Sequence, residues 1–293
     1  MLSRFLHIII VCSGLSLFVG CERDFDELND TNQRHIEFNF NTDYLFSEIL
    51  HYDGESYYLD GVDELPEGHV IRVTSYCYDE RDSLVSKSVQ MADLNSYSSV
   101  KFKHLDKDSS YNFIFIADVV KVDAYVGFYE VWYQMSSKSL NDFYIYSDYR
   151  SDSFVENIIG SATFINMNPH NQTYTVDFIP LAYNGYCVFK NLEDVSLLTC
   201  VFYDTLSYTF YNMETIKRAS LGYQFEFSQF DSDQIIVPLT FSTVDDAISI
   251  RVNTIVKQEG STNNVRFETP NHRPFIIEID CKTLTLEKVT FIE

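Results

Sequence analysis

Six histidines lie beyond the N-terminal segment, at His35, His51, His69, His104, His170 and His272, and each stands alone. A zinc site gathers its ligands at short repeated spacings, and that spacing is missing, so these histidines read as structural. Cys77, Cys187, Cys200 and Cys281 are far apart and form no Cys-x-x-Cys pair, which argues against zinc and iron–sulfur clusters alike. They could pair as disulfides in three ways, and packing among strands as free thiols is the favoured reading. Asp148, Asp152, Asp231, Asp233, Asp245 and Asp246 sit in polar stretches that could face Ca²⁺. None has the glycine and ligand spacing of an EF-hand loop, and solvated surface is the simpler reading. Carboxylates are so abundant that any chosen pair says nothing about glycoside hydrolysis. GxSxG, P-loop, HExxH and GxGxxG patterns do not occur. The residues therefore point to a non-enzyme without a cofactor.

Aromatic side chains offer a different chemistry. Phe128-Tyr129-Glu130-Val131-Trp132-Tyr133 and Phe143-Tyr144-Ile145-Tyr146 place aromatics on both faces of expected strands. One face must fill a core. The other, with Trp132 and Tyr133 as contact residues, could pack internally, meet a protein partner or stack on sugar rings. Two triplets, Asp82-Ser83-Leu84 and Asp204-Thr205-Leu206, resemble the O-glycosylation signal of Bacteroidetes, which makes Ser83 and Thr205 candidate glycosylation sites. Ser83 is the better placed, in an expected turn. Asn171-Gln172-Thr173 fits the N-glycosylation pattern.

The N-terminus carries an address. Arg4 precedes an apolar stretch from Phe5 to Val19, shorter than the ~20 residues that span a bilayer. Its end, Val19-Gly20-Cys21, resembles a bacterial lipoprotein signal, although Phe18 departs from the usual leucine. The resemblance implies cleavage after residue 20, diacylation of the Cys21 thiol and acylation of the new amino group. Several acyl chains, palmitate among them, would hold the protein on the bilayer where one would be marginal. The alternative is a secreted protein with an incidental Cys21. Glu22 to Glu27 and Asp30 form an acidic run similar to the export signal that takes Bacteroidetes lipoproteins to the outer face of the outer membrane; it also serves as a solvated tether.

The elements that position these residues follow from composition and periodicity. The 293 residues carry 21 Lys+Arg against 43 Asp+Glu, a net charge of −22, with 45% hydrophobic and 16% aromatic residues. Disorder is excluded by the apolar content, and nucleic-acid binding by the charge. Period-two alternation recurs: Val100, Phe102 and His104; Tyr111, Phe113, Phe115 and Ala117, with Ile114 and Ile116 opposite; Ile248, Ile250 and Val252; Phe275, Ile277, Ile279 and Cys281. These are strands of antiparallel sheets, half-buried. Val70–Tyr78 and Leu84–Val89 form a hairpin across Asp79–Ser83, while Asn184-Gly185 and Glu259–Asn264 mark reversals. Asp43–His51, Glu156–Ile159 and Met213–Ala219 allow only short helices. The expected fold is all-β, with two tandem antiparallel β-sandwich domains of transthyretin-like or Ig-like type after a lipoprotein signal peptide. The expected layout is signal peptide 1–20, lipidated acidic tether 21–34, first sandwich 35–152 and second sandwich 153–293, the boundary lying in the polar run 147–153.

Val73-Thr74-Ser75-Tyr76-Cys77-Tyr78-Asp79, its acidic turn and the return through Leu84-Val85 resemble a strand pair of the two-domain fimbrial anchor and accessory lipoproteins of Bacteroidales. Leu105, the polar turn 106–110 and Tyr111–Ala117 are similar to a second segment of that family, and Phe275–Phe291 to its C-terminal hairpin. The resemblance implies an outer-membrane surface lipoprotein that binds filament subunits by strand addition, the C-terminal hairpin being a candidate donor by analogy. The alternative function is a surface glycan-binding lipoprotein of a polysaccharide uptake system. Implied partners are the bilayer through Cys21, protein subunits and, in the alternative, a glycan.

Overall fold

The computed structural model describes residues 33–94, 96, 98–122, 129–131, 134–136, 138–141, 143–146, 154–203, 207–209, 223–228, 232–242, 247–256, 259–268 and 273–292. Almost all of them lie in one compact unit, Arg34–Glu293. The first strands are β1 (Gln33–Asn41), β2 (Ile49–Tyr52), β3 (Tyr57–Asp60), β4 (His69–Asp79), β5 (Leu84–Ala92), β6 (Ser98–Asp106) and β7 (Tyr111–Val122). Three short ones follow, β8 (Tyr129–Val131), β9 (Gln134–Ser136) and β10 (Tyr144–Tyr146), and then β11 (Ile159–Met167), β12 (Gln172–Asp177) and β13 (Ile179–Pro180). The chain continues through β14 (Ala182–Lys190), β15 (Val195–Tyr203), β16 (Ser207–Thr209), β17 (Tyr223–Phe227) and β18 (Gln234–Ser242). It ends in β19 (Ala247–Val256), β20 (Glu259–Glu268), β21 (Phe275–Asp280) and β22 (Thr285–Phe291). Single 3₁₀ turns occupy Asp43–Phe46 and Val155–Asn157, where short helices were expected; Met213–Ala219 lies outside the described residues.

β4 and β7 pair antiparallel along their whole length at the centre of the sheet β13-β11-β7-β4-β5. Their inner face, with Val73, Phe113 and Phe115, packs on Ile36 and Phe38 of β1, Phe102 of β6 and Val176 of β12. The sheet β12-β1-β6 thus closes the first sandwich. Phe38 is fully buried and meets the rings of Phe102, Phe113, Phe115, Phe164 and Tyr174 at centroid distances of 4.7 to 6.2 Å. Such aromatic contacts add about 0.5–1.5 kcal/mol each to the area term.

The outer face of the same sheet is buried too. Tyr76, Tyr78, Ile114 and Ile116 lie beneath Leu140, Phe143 and Ile145, so β4 and β7 are covered on both sides. This third layer corrects the expectation of half-buried strands: Ile114 and Ile116 interrupt the alternation because they too are fully buried on that face.

The second core lies between the sheets β18-β14-β21-β22 and β17-β15-β19-β20. Phe189, Leu198, Ile250, Phe275 and Ile277 are among its fully buried residues. The change from one core to the next falls between Phe178 and Cys187. β11 pairs with β7, and β12 pairs in parallel with β1, so residues 159–177 belong with the first core and not beyond an expected boundary at 152. The polar run 147–153 lies outside the described residues. The hairpin β2–β3 joins the two cores: Tyr57 lies 5.2 Å and Tyr52 6.1 Å from the ring of Tyr186 on β14.

Local expectations fail where a polar or small residue is read as a turn. Asn184-Gly185 lies inside β14, and Gly185 is needed there because an added Cβ would sit 2.9 Å from the ring and the carbonyl oxygen of Phe275. Glu259–Asn264 is the exposed start of β20, an edge strand paired with β19; its polarity reflects solvent rather than reversal. His104 takes a left-handed φ of 61°, which turns its side chain outward and puts Leu105 in the core instead.

Candidate functional site

The hairpin between β4 and β5 displays Ser83. Asp79 closes its turn: the carboxylate Oδ1 accepts the N–H groups of Arg81 at 2.9 Å and Ser83 at 2.8 Å, and the Asp82 N–H donates to the Asp79 carbonyl at 3.0 Å. Asp82 adopts φ 61°, a conformation that aspartate tolerates better than most residues. Its carbonyl accepts the Leu140 N–H at 3.1 Å and its Oδ2 accepts Asn141 Nδ2 at 2.6 Å, which ties the turn to the third layer. Ser83 is exposed beside this fixed aspartate.

From Ser83 the chain enters β5, which ends its sheet. Leu84, Val85 and Val89 are 37%, 51% and 48% exposed on this strand. Its nine residues include no acid in a chain that carries 43, and one cation, Lys87, lies 5.3 Å from the ring centroid of Tyr76. β18 is another long acid-free edge, but Pro238 interrupts its donors. β5 contains no proline and, among the described residues, pairs along its length only with β4, with a single bridge from Ser83 to Ser139 at its start; an exposed apolar edge is a template for another strand.

Beneath β5 a polar pair is sealed into the sheet. Arg72 on β4 and Asp118 on β7 stand opposite each other, with Nε donating to Oδ1 at 2.9 Å and Nη2 to Oδ2 at 2.5 Å. The Asp118 side chain has no solvent exposure and that of Arg72 has 14%. Burial pushes the Asp118 carboxyl above its usual range, against the pull of the guanidinium. Sequence reading passed over this pair. The signal was available: a lone aspartate inside the apolar run Phe113–Val120.

A second feature was also missed. Where β1 ends beside the start of β6, a cavity of about 610 Å³ is lined by Asn39, Asn41, Asp43, Ser99 and Thr175, with Phe40. Residues of this kind scatter through any polar sequence, so only the sheet reveals that they converge.

The other candidates fare differently. Phe143 and Ile145 are buried against Tyr76 and Tyr78, so that face of the segment packs internally, while Tyr144 on the other is half-buried. Cys77, Cys187, Cys200 and Cys281 are all buried, and none is in a disulfide. Burial pushes the thiols of Cys77 and Cys281 up to about 12, and nearby Asp79 and Asp280 add to it. Asp233 accepts the Leu192 N–H at 2.9 Å. Among the described residues, no group of three His, Cys, Asp or Glu could hold a metal ion. Cys21, Thr205, Trp132 and Tyr133 lie outside the described residues, as do Asp148, Asp152, Asp231, Asp245 and Asp246. No described helix is long and apolar enough to cross a membrane.

No protein-family model matches the chain, and no curated protein matches it. Solved structures do. A candidate polysaccharide-binding protein from Bacteroides thetaiotaomicron is 10% identical, with a TM-score of 0.51 over 89% of this chain and 98% of that one. The fold is shared. A candidate adhesin from Bacteroides ovatus is 14% identical, with a TM-score of 0.48 over 92% and 97%. The fimbrial anchor protein Mfa2 from Porphyromonas gingivalis is 12% identical, with a TM-score of 0.48 over 88% and 96%.

Proposed function

We propose that this protein is a surface subunit of an adhesive or fimbrial assembly, anchored to the outer membrane through acylated Cys21, which binds other subunits by β-strand addition and catalyses nothing. The observation that carries this reading is β5, an acid-free edge strand with Leu84, Val85 and Val89 exposed. Main-chain groups along such an edge supply affinity, and alternate side chains supply selectivity. The C-terminal hairpin is a poor donor: Phe275, Ile277 and Ile279 of β21 are fully buried in the second core, and Ile292 packs against the first. On this reading the chain accepts a strand at β5, and Cys21 keeps the complex at the cell.

The test is assembly. Cys21→Ser should release the protein from the membrane fraction and detach or lengthen surface filaments. Val85→Asp with Val89→Asp should leave the fold intact and lower subunit capture. Normal filaments and normal capture in both variants would overturn the reading. A second reading, binding of a surface glycan, is supported by the polar cavity beside β1 and by the name of the Bacteroides thetaiotaomicron structure.

A further inference from the structure

We infer that the cavity at the end of β1 is a saccharide subsite for an uncharged stretch of glycan, an inference that rests on the glycan reading and gives it a location. β1 and β12 run parallel and put Asn39 directly beside Thr175, and Asn41 beside Asp177. The solvent-facing side of this sheet carries Asn39, Asn41, Thr173 and Thr175 together with the charged Glu37, Asp177, Lys101 and Lys103, and the uncharged Asn39, Asn41 and Thr175 gather at the cavity, while Phe38 and Val176 face inward. At the end of the row, Asn41 is fixed. Its Nδ2 donates to Asp177 Oδ1 at 3.1 Å, and its Oδ1 accepts the Asp43 N–H at 3.2 Å. Gln90 Nε2 donates to the Ser99 carbonyl, holding the opposite wall to β5.

The groups that remain are the ones a sugar would use. Among the described residues, the side chains of Asn39, Asp43, Ser99 and Thr175 make no hydrogen bond within the chain, yet all four line the same concavity. An amide and a hydroxyl each donate and accept, and a carboxylate accepts, which matches the double role of every sugar hydroxyl. A volume of about 610 Å³ lies within the ~300–1,000 Å³ typical of ligand sites and leaves room for a short oligosaccharide. Lining chemistry excludes the competitors. Asp43 stands in the cavity without any Lys or Arg, so phosphate or an acidic peptide would meet uncompensated negative charge. An apolar ligand would strand the amide and hydroxyls without water or partner.

The experiment is affinity gel electrophoresis of the purified full chain through galactomannan, xylan, dextran and polygalacturonate. It compares the native protein with Asn39→Ala/Thr175→Ala and with Trp132→Ala, thermal midpoints being checked in parallel. The expected result is retardation by a neutral polysaccharide that weakens by roughly tenfold or more in Asn39→Ala/Thr175→Ala at an unchanged midpoint. Thr175→Trp, which fills the cavity without removing Asn39, should abolish it and guards against a purely local loss of order. Retardation that survives in both cavity variants but disappears in Trp132→Ala overturns the cavity and leaves the glycan reading standing. Retardation by polygalacturonate alone overturns the uncharged ligand. No retardation by any of the four overturns the cavity together with the glycan reading, while the filament assay still stands apart.

Discussion

Arg72 and Asp118 offer the sharpest test of the packing, because the pair stands at the centre of the largest sheet with no water on the carboxylate. Asp118→Leu would leave a guanidinium in the sheet without its bidentate partner. Removing one member of a buried pair costs about 3–5 kcal/mol. For a body of this size each kcal/mol lowers the midpoint by about 2–4 °C, so a fall of roughly 6–20 °C is expected. Arg72→Met should cost a similar amount at neutral pH and differ in acid. Burial holds the Asp118 carboxyl above its unfolded value even with Arg72 present, and more so without it. Between the unfolded value near ~3.9 and the raised folded value, the native state keeps a proton that the unfolded chain has lost. Stability contributed by this group is therefore present at low pH and declines as pH rises through that window. Arg72→Met should show the decline more strongly than the native protein. The double variant Arg72→Met/Asp118→Leu has no charge to strand and should return to within about 1 kcal/mol of the native protein, or exceed it. Urea titrations of the four proteins at pH 4, 5.5 and 7.5 complete the cycle. Additive losses in the double variant, or an Arg72→Met protein with no pH slope beyond that of the native chain, would refute the buried pair.

Three further outcomes follow from single sites. Gly185→Ala should destabilise by about 1–3 kcal/mol in urea titration, because the new Cβ meets the ring and backbone of Phe275 at 2.9 Å, whereas Gly260→Ala, which meets nothing within 4 Å, should be neutral or slightly stabilising. Cys77, Cys187, Cys200 and Cys281 should resist maleimide at pH 8 in the native protein and label together after denaturation, as read by intact mass, since all four are buried and burial raises the thiols of Cys77, Cys187 and Cys281. Asp280 accepts the N–H groups of Lys282 at 2.7 Å and Thr283 at 2.8 Å and is held below its usual range. A lowered folded value gives stability that is present above the unfolded value and lost as pH falls through the folded one, so Asp280→Asn should flatten the acid limb of a stability–pH curve.

The strands were legible because burial on one face leaves a period of two. Phe275, Ile277 and Ile279 show it clearly, and the structure buries all three. The hairpin of β4 and β5 was legible for a chemical reason as well: Asp79 ends its strand because its carboxylate satisfies the N–H groups of the turn that follows. What escaped were pairings between distant strands. β12 adds in parallel to β1 across 136 residues of separation, as Asn41 and Asp177 show, and no local pattern encodes such a partner. A boundary drawn from a polar run therefore cut through the first sandwich. His104 escaped because a left-handed residue shifts the alternation by one, and histidine gives little warning of it.

Charge decides where this chain can be touched. At a net −22 most of the surface repels other acidic proteins and, at low ionic strength, copies of itself. Contacts must form where that field is interrupted. β5 interrupts it with nine acid-free residues and Lys87, and the cavity beside β1 interrupts it with amides and hydroxyls around a single carboxylate, Asp43. Gln90 reaches from β5 to the Ser99 carbonyl on β6, so the two low-charge regions share one side of the first sandwich. A strand added to β5 would lie close to the Ser99 wall of this cavity. Asp82, Asp79 and Glu80 cluster at the turn before β5, so a strand of matching chemistry would carry its cations at the end that meets this turn.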